Sequence, residues 1–187
     1  MLYSDDLSVR EAREVYFKNS GFDEGTYTDR WVKLPILGRT IYLPNIKPRR
    51  DAVPLHDIDH VLTEYKTDWR GEWQISSYEL GTGCGRYWAG WIINMQAILA
   101  GGFRAPRECI NAFARGRRSQ GVYSFRSIEP LLSERLGNLR KRTTAPVENV
   151  RANFVDTILF YSFVLTSIIF HFLPLTAIVF ISIKAYK

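Results

Sequence analysis

The sequence predicts an all-α fold, a single helical domain followed by a C-terminal transmembrane helix or helical hairpin, and three observations predict it. From Phe154 to Ile183 the only ionisable side chains are Asp156, Tyr161 and His171, a stretch longer than the roughly 20 apolar residues that cross a hydrocarbon layer. Upstream, helix caps and apolar positions at helical spacing recur from Ser8 to Leu139. At 187 residues, with no internal repeat or low-complexity run, the chain suits one ordinary core. Residues 1–150 are therefore expected to form the helical domain and residues 151–187 the membrane anchor.

The elements follow in order. Ser8 with Glu11 three residues later makes a capping box, which predicts a helix over 8–18 that ends at Gly21. Pro35, Pro44 and Pro48 predict an extended or looped segment from Trp31 to Pro48 that wraps the domain. Asp51 is then expected to cap a helix that tolerates Pro54 near its start and reaches about Lys66. Thr67 or Asp68 caps the next, which runs to Leu80 and stops at the Gly81 to Gly85 loop. Trp88, Trp91, Ile92, Met95 and Leu99 form a helical stripe within residues 86–100, too short to span a membrane. Pro106 opens a helix to about Arg117, and Ser127 to Leu139 is expected to form the last helix before the span. Pro174 invites a kink in the span, or a reversal at His171 to Pro174 that would make a shallow hairpin.

Charge is unevenly placed. Residues 1–85 carry 11 Lys and Arg against 14 Asp and Glu, whereas residues 86–142 carry 11 against 3. A basic block ahead of an apolar span fits anionic membrane lipid. Nucleic acid is the poorer partner, because no helix-turn-helix, zinc-finger or RNA-binding pattern accompanies the arginines. Arg140, Lys141, Arg142 and Arg151 before the span, against Lys184 and Lys187 after it, keep the domain on the cytoplasmic side. The charged start, Met1 to Asp6, lacks the apolar core of a secretory signal. Two cysteines, Cys84 and Cys109, without CxxC spacing, exclude a disulfide framework and a zinc ribbon.

The chemistry concentrates in one place. Two of the three histidines stand four apart, as His56 and His60, with Asp57 three residues before the second. Residues at i and i+4 share a helix face, so both imidazoles can converge on one ion. On a continuous helix Glu72, twelve residues on, would be turned about 120° away. The break at Thr67 and Asp68 instead brings it onto an antiparallel second helix, facing the first, as carboxylate ligands are placed in bundles. Two His and two carboxylates suit zinc, and also iron or manganese. An HD-type phosphohydrolase needs a further His outside the doublet, and the remaining one, His171, lies in the span. A zincin needs Glu after its first His, where Asp57 stands. Trp69, Trp73, Tyr78, Tyr87, Trp88 and Trp91 crowd the neighbouring helices and could hold an apolar tail or simply pack the core, and Arg86 after the glycine loop could hold an anionic head.

The segment His-Asp-x-x-His-Val-Leu-Thr-x-Tyr-x-Thr-Asp-x-x-Gly-Glu, residues 56–72, resembles the metal motif of the coenzyme Q biosynthesis protein 4 family. The resemblance covers roughly residues 30–110. It implies an all-helical protein at the inner face of a respiratory membrane, cytoplasmic in bacteria or on the matrix side of the mitochondrial inner membrane. It further implies a divalent metal, usually zinc, on His56, Asp57, His60 and Glu72. The implied activity is removal of the C1 carboxyl of a polyprenylated hydroxybenzoate, with hydroxylation at that carbon, beside other quinone-biosynthesis proteins and with self-association open. Trp69, Trp73, Arg86, Trp88 and Trp91 are the residues expected around the prenylated precursor. The alternative is a scaffold that binds prenyl lipid without chemistry. Family members are typically peripheral, whereas this chain adds an apolar tail.

Overall fold

A computed structural model describes the backbone of residues 2–36 and 39–185, and the side chains of these except at 26, 33–36, 39, 41, 43, 149 and 173–185. The chain runs α1 (Val9–Ser20), α2 (Gly25–Thr28), β1 (Trp31–Ile36), β2 (Arg39–Pro44), α3 (Lys47–Thr63), α4 (Trp69–Thr82), α5 (Trp88–Arg104), α6 (Pro106–Arg117), α7 (Glu129–Leu132), α8 (Leu136–Thr143) and α9 (Phe154–Ala185). The all-α expectation holds, with one small addition. β1 and β2 pair as an antiparallel hairpin in the segment expected to be extended or looped, Trp31 lying opposite Pro44.

Local chemistry explains most of the ends. Both halves of the capping box form, Ser8 Oγ accepting from the Glu11 amide and Glu11 Oε2 accepting from the Ser8 amide. Gly21 then closes α1 at φ 73°, a left-handed turn that glycine adopts without cost. α3 starts at Lys47, ahead of the expected cap Asp51, because Pro48 sits in its first turn, where a missing N–H has no helical partner to lose. Its last carbonyls are received by distant arginines: Arg140 donates to Val61 and Leu62, and Arg115 to Thr63. Two arginines of the basic block thus serve as a cap for α3, where positive charge also suits the helix dipole. Asp68 caps α4, its Oδ1 accepting from the Gly71 amide at 2.8 Å. The helix expected over Ser127 to Leu139 is divided at Ser133 into α7 and α8.

The largest apolar cluster joins α1 and α3 to α7 and α8 through Val9, Tyr16, Leu55, Ile58, Leu131 and Leu136. α4 and α6 pack backbone to backbone. A Cβ on Gly116 would lie 2.0 Å from the Tyr78 carbonyl oxygen and one on Gly81 2.3 Å from that of Phe113, so only glycine permits the approach. A second cluster, with Ile98, Cys109 and Phe113, takes in Phe160 and Val164 of α9.

α9 is one helix to Ala185, passing Pro174 without the reversal that a hairpin needs. Among the described residues it is the one helix long and apolar enough to cross a membrane, over Phe154–Phe172. An apolar helix near the C-terminus is therefore available as an anchor. It does not begin clear of the domain, because Asp156, Phe160, Val164 and Ser167 are buried against α5 and α6.

Candidate metal centre

α3 and α4 run antiparallel, so that His56 meets Glu79 while His60, one turn on, meets Glu72 at the start of α4. Spacing within each helix makes this possible. His56 and His60 differ by about 40° around α3, and Glu72 and Glu79 by about 20° around α4. Asp68, by capping α4, sets the turn that brings Glu72 back to the histidines.

Three donors converge. His56 Nε2 and His60 Nε2 are 3.2 Å apart, Glu72 Oε2 lies 3.5 Å from the first and Glu72 Oε1 3.4 Å from the second. Donors held at 2.0–2.1 Å by a tetrahedral ion stand about 3.3 Å from one another, so each of these contacts has the spacing of a ligand pair, and one atom from each residue lies within 4.8 Å of the other two. The remaining ring nitrogens are occupied. His60 Nδ1 is 2.9 Å from the Tyr65 carbonyl oxygen, and His56 Nδ1 is 2.8 Å from Glu79 Oε1. Both partners accept, so each Nδ1 carries the proton and each Nε2 can present a lone pair to the centre. His60, Glu72 and His56 form a group that can hold a metal ion.

The surroundings are polar, buried and connected. Glu79 is 1% exposed, and its second oxygen accepts from Asn94 and Tyr123. Burial alone would lower the His56 pKa, but the Glu79 and Glu72 carboxylates outweigh it and hold His56 well above the ordinary 6.5. Burial would raise Glu72, and its hydrogen bonds to the two histidines instead draw it far below the ordinary 4.5. Opposite charges thus share this pocket when no ion fills it.

The expected site residues divide. His56, His60 and Glu72 are together, whereas Asp57 lies outside the group of three. It stands about 100° around α3 from His56, and its oxygens accept from Tyr16 Oη at 3.1 Å and Tyr27 Oη at 2.5 Å. Tyr16 also stacks on the His60 ring, so Asp57 fixes the wall behind that ligand. Asp59 faces the other way, fully buried and without a hydrogen-bond partner among the described residues; burial and then the Glu79 charge raise its pKa well above the carboxylate range.

The aromatic residues do not gather around the trio. Trp73 packs on Gly101, and Trp91 stacks on Phe163 of α9, so both belong to the second apolar cluster. Trp69 is largely exposed on the first turn of α4. Arg86 donates to the Arg126 carbonyl oxygen and, with Trp88, lines an open groove of about 600 Å³ beside Lys47 and Arg126. Glu79, Tyr16 and Tyr27 went unnoticed in the sequence. Glu79 alone had a signal there, standing two helical turns after Glu72 on the same face of α4.

Comparison with family models, with curated proteins and with solved structures finds no match to this chain.

Proposed function

We propose that this chain is a membrane-bound, metal-dependent protein of ubiquinone biosynthesis, acting on a polyprenylated hydroxybenzoate at the His56, His60 and Glu72 centre. The observation that carries the reading is the convergence of these three donors within 4.8 Å of one another, each histidine oriented by a partner on its far nitrogen. It is joined by the resemblance of residues 56–72 to the family motif and by the apolar helix that brings the domain to a membrane. Three protein donors leave a coordination position free, the pattern of catalytic zinc sites and not of structural ones. Zinc is the first choice for two nitrogens and an oxygen, with ferrous iron or manganese as alternatives.

A divalent ion bound here supplies Lewis-acid polarisation of a ring carboxylate or phenolate as carbon dioxide leaves. The chain's own residues do the rest. Glu79 and the Tyr65 carbonyl orient the imidazoles, and Asp57 with Tyr16 and Tyr27 shields one flank of His60. Hydroxylation of the same carbon needs an oxidant, and zinc has no redox chemistry, so the oxidative step calls for iron, manganese or electrons from the substrate ring.

The scaffold alternative is favoured by one observation. The groove beside Arg86, Lys47, Arg126 and Trp88 offers positive charge with apolar walls and lies apart from the trio. Deleting the gene, extracting the quinone-pathway lipids and complementing with wild type or Glu72→Ala tests the assignment. Accumulation of a carboxylated prenyl-phenol that wild type clears and Glu72→Ala does not is the expected result; an unchanged lipid profile in the deletion removes it. Incubating that lipid with the purified protein then separates enzyme from scaffold.

A further inference from the structure

The face that α5 and α9 present together is unlike the rest of the surface. Around α9 the buried residues Asp156, Phe160, Val164 and Ser167 occupy an arc of roughly 80° at 100° per residue. The open side carries Phe154, Val155, Ile158, Leu159, Tyr161, Leu165, Ile169, Phe170 and Phe172, each more than a third exposed, over about 180°. No charge interrupts it. Two of its polar members return their hydroxyls to the helix itself: Ser162 donates to the Leu159 carbonyl oxygen and Thr166 to that of Ser162. Side chains that need no solvent partner are what a hydrocarbon environment requires.

α5 lies against the same helix. Gly102 meets Phe160 and Val164, and Ser167 Oγ donates to the Met95 carbonyl oxygen at 2.6 Å. From Trp88 to Phe103 it carries no charged residue, and next to Gly102 it leaves Phe103 69% exposed. Arginines collect at one end. Arg104 ends α5 beside the first turns of α9, Arg117 and Arg118 hold the buried Asp156 carboxylate, and exposed Arg151 precedes the helix.

Length decides how these features stand to a bilayer. From Ser167 to Ile183, the last apolar residue before Lys184, is about 24 Å at 1.5 Å per residue, less than the roughly 30 Å of hydrocarbon. A window of roughly 20 residues that ends at Ile183 reaches back to Val164, which touches Gly102. The part of α9 that is docked to the domain must therefore lie at hydrocarbon depth, and α5 goes with it.

We propose that the α5–α9 face is seated in the hydrocarbon of a bilayer, with Arg104, Arg117, Arg118 and Arg151 at the level of anionic headgroups. The domain is sunk beside its own span and does not hang from it as from a tether. A second copy of the chain is the other conceivable cover, but a helical seam is a narrow stripe, whereas lipid solvates a half-circumference. The proposal rests on the span and is independent of the metal chemistry.

The test uses the full chain in phosphatidylcholine vesicles containing phosphatidylglycerol. Cys84 and Cys109 are buried and stay in place, while single cysteines at Phe103, Leu165 and the exposed control Ser133 take an environment-sensitive fluorophore. Blue-shifted emission, loss of iodide quenching and strong quenching by doxyl-labelled lipid are expected at Phe103→Cys and Leu165→Cys, with the reverse at Ser133→Cys. Iodide quenching at Phe103→Cys equal to the control would overturn the seat and leave a tether. Protection from both quenchers, lost on dilution into excess lipid, would overturn it in favour of a second copy. Hydroxyl-radical footprinting of the unlabelled protein supplies a check free of substitution: Phe103 should be oxidised less than Phe22, and equal oxidation contradicts the proposal.

Discussion

The trio on α3 and α4 and the seam between α5 and α9 are built from opposite materials. At the trio, polar side chains are buried or half-buried and each is held by a hydrogen bond or a charge, as His56 is by Glu79 and His60 by the Tyr65 carbonyl. At the seam, Phe160 and Val164 fill an apolar cluster, and the one buried charge, Asp156, is answered by two arginines. Apolar burial stabilises whatever the pH, whereas the trio's contribution depends on which protons and which ion are present. The molecule thus separates a part suited to anchoring from a part suited to holding an ion.

Breaking the seam should give the largest loss of stability. Phe160→Ala removes a fully buried ring and should cost about 3–5 kcal/mol in unfolding measured in detergent micelles, with metal content per chain unchanged. Loss of the metal in that variant would show that the two regions are not separate. Glu79→Gln tests the other region, because it keeps the shape but removes the charge behind His56. Metal affinity, measured by competition with a chelator, should fall about 10–100-fold, the usual effect of losing an outer partner of a ligand. Unchanged affinity would mean that the Tyr65 contact alone orients the pair.

The smallest effect expected is a pH dependence that changes direction with the metal. A His56 pKa raised above 6.5 stabilises the metal-free fold fully below 6.5 and loses that contribution as pH rises through the raised value. Glu72, held below 4.5, contributes above 4.5 and is lost as pH falls through its lowered value. Metal-free protein should therefore be stabilised by this site between about pH 4.5 and 6.5 and weaken above. The metal-loaded protein should instead strengthen as pH rises to about 6.5, because the unfolded chain still holds a proton on His56 that the metal-bound fold has lost, and level off above. Parallel unfolding curves in the two states would contradict this.

Much of this was legible in the residues. Ser8 with Glu11, Asp68 and Pro106 marked helix starts because caps act locally, and the four-residue spacing of His56 and His60 with the Asp68 break placed Glu72 opposite them. The partners of Asp57 were not legible. Tyr16 and Tyr27 lie 41 and 30 residues away, and no local rule brings them there. The hairpin was hidden by prolines, which end a helix but are tolerated at the margins of an edge strand. The docking of α9 was hidden as well, because hydropathy does not distinguish a lipid neighbour from Phe113 or Ile98. Its one trace was the row Asp156, Phe160, Val164 and Ser167, a helical stripe with a polar residue at each end.

Metal analysis of the purified full-length protein and of its His56→Ala, His60→Ala double variant tests the central claim most directly. About one divalent ion per chain in the wild type, lost in the double variant while far-UV circular dichroism stays helical, is the predicted result. Equal metal content in the two proteins, or none in either after loading with zinc, iron or manganese, would contradict it.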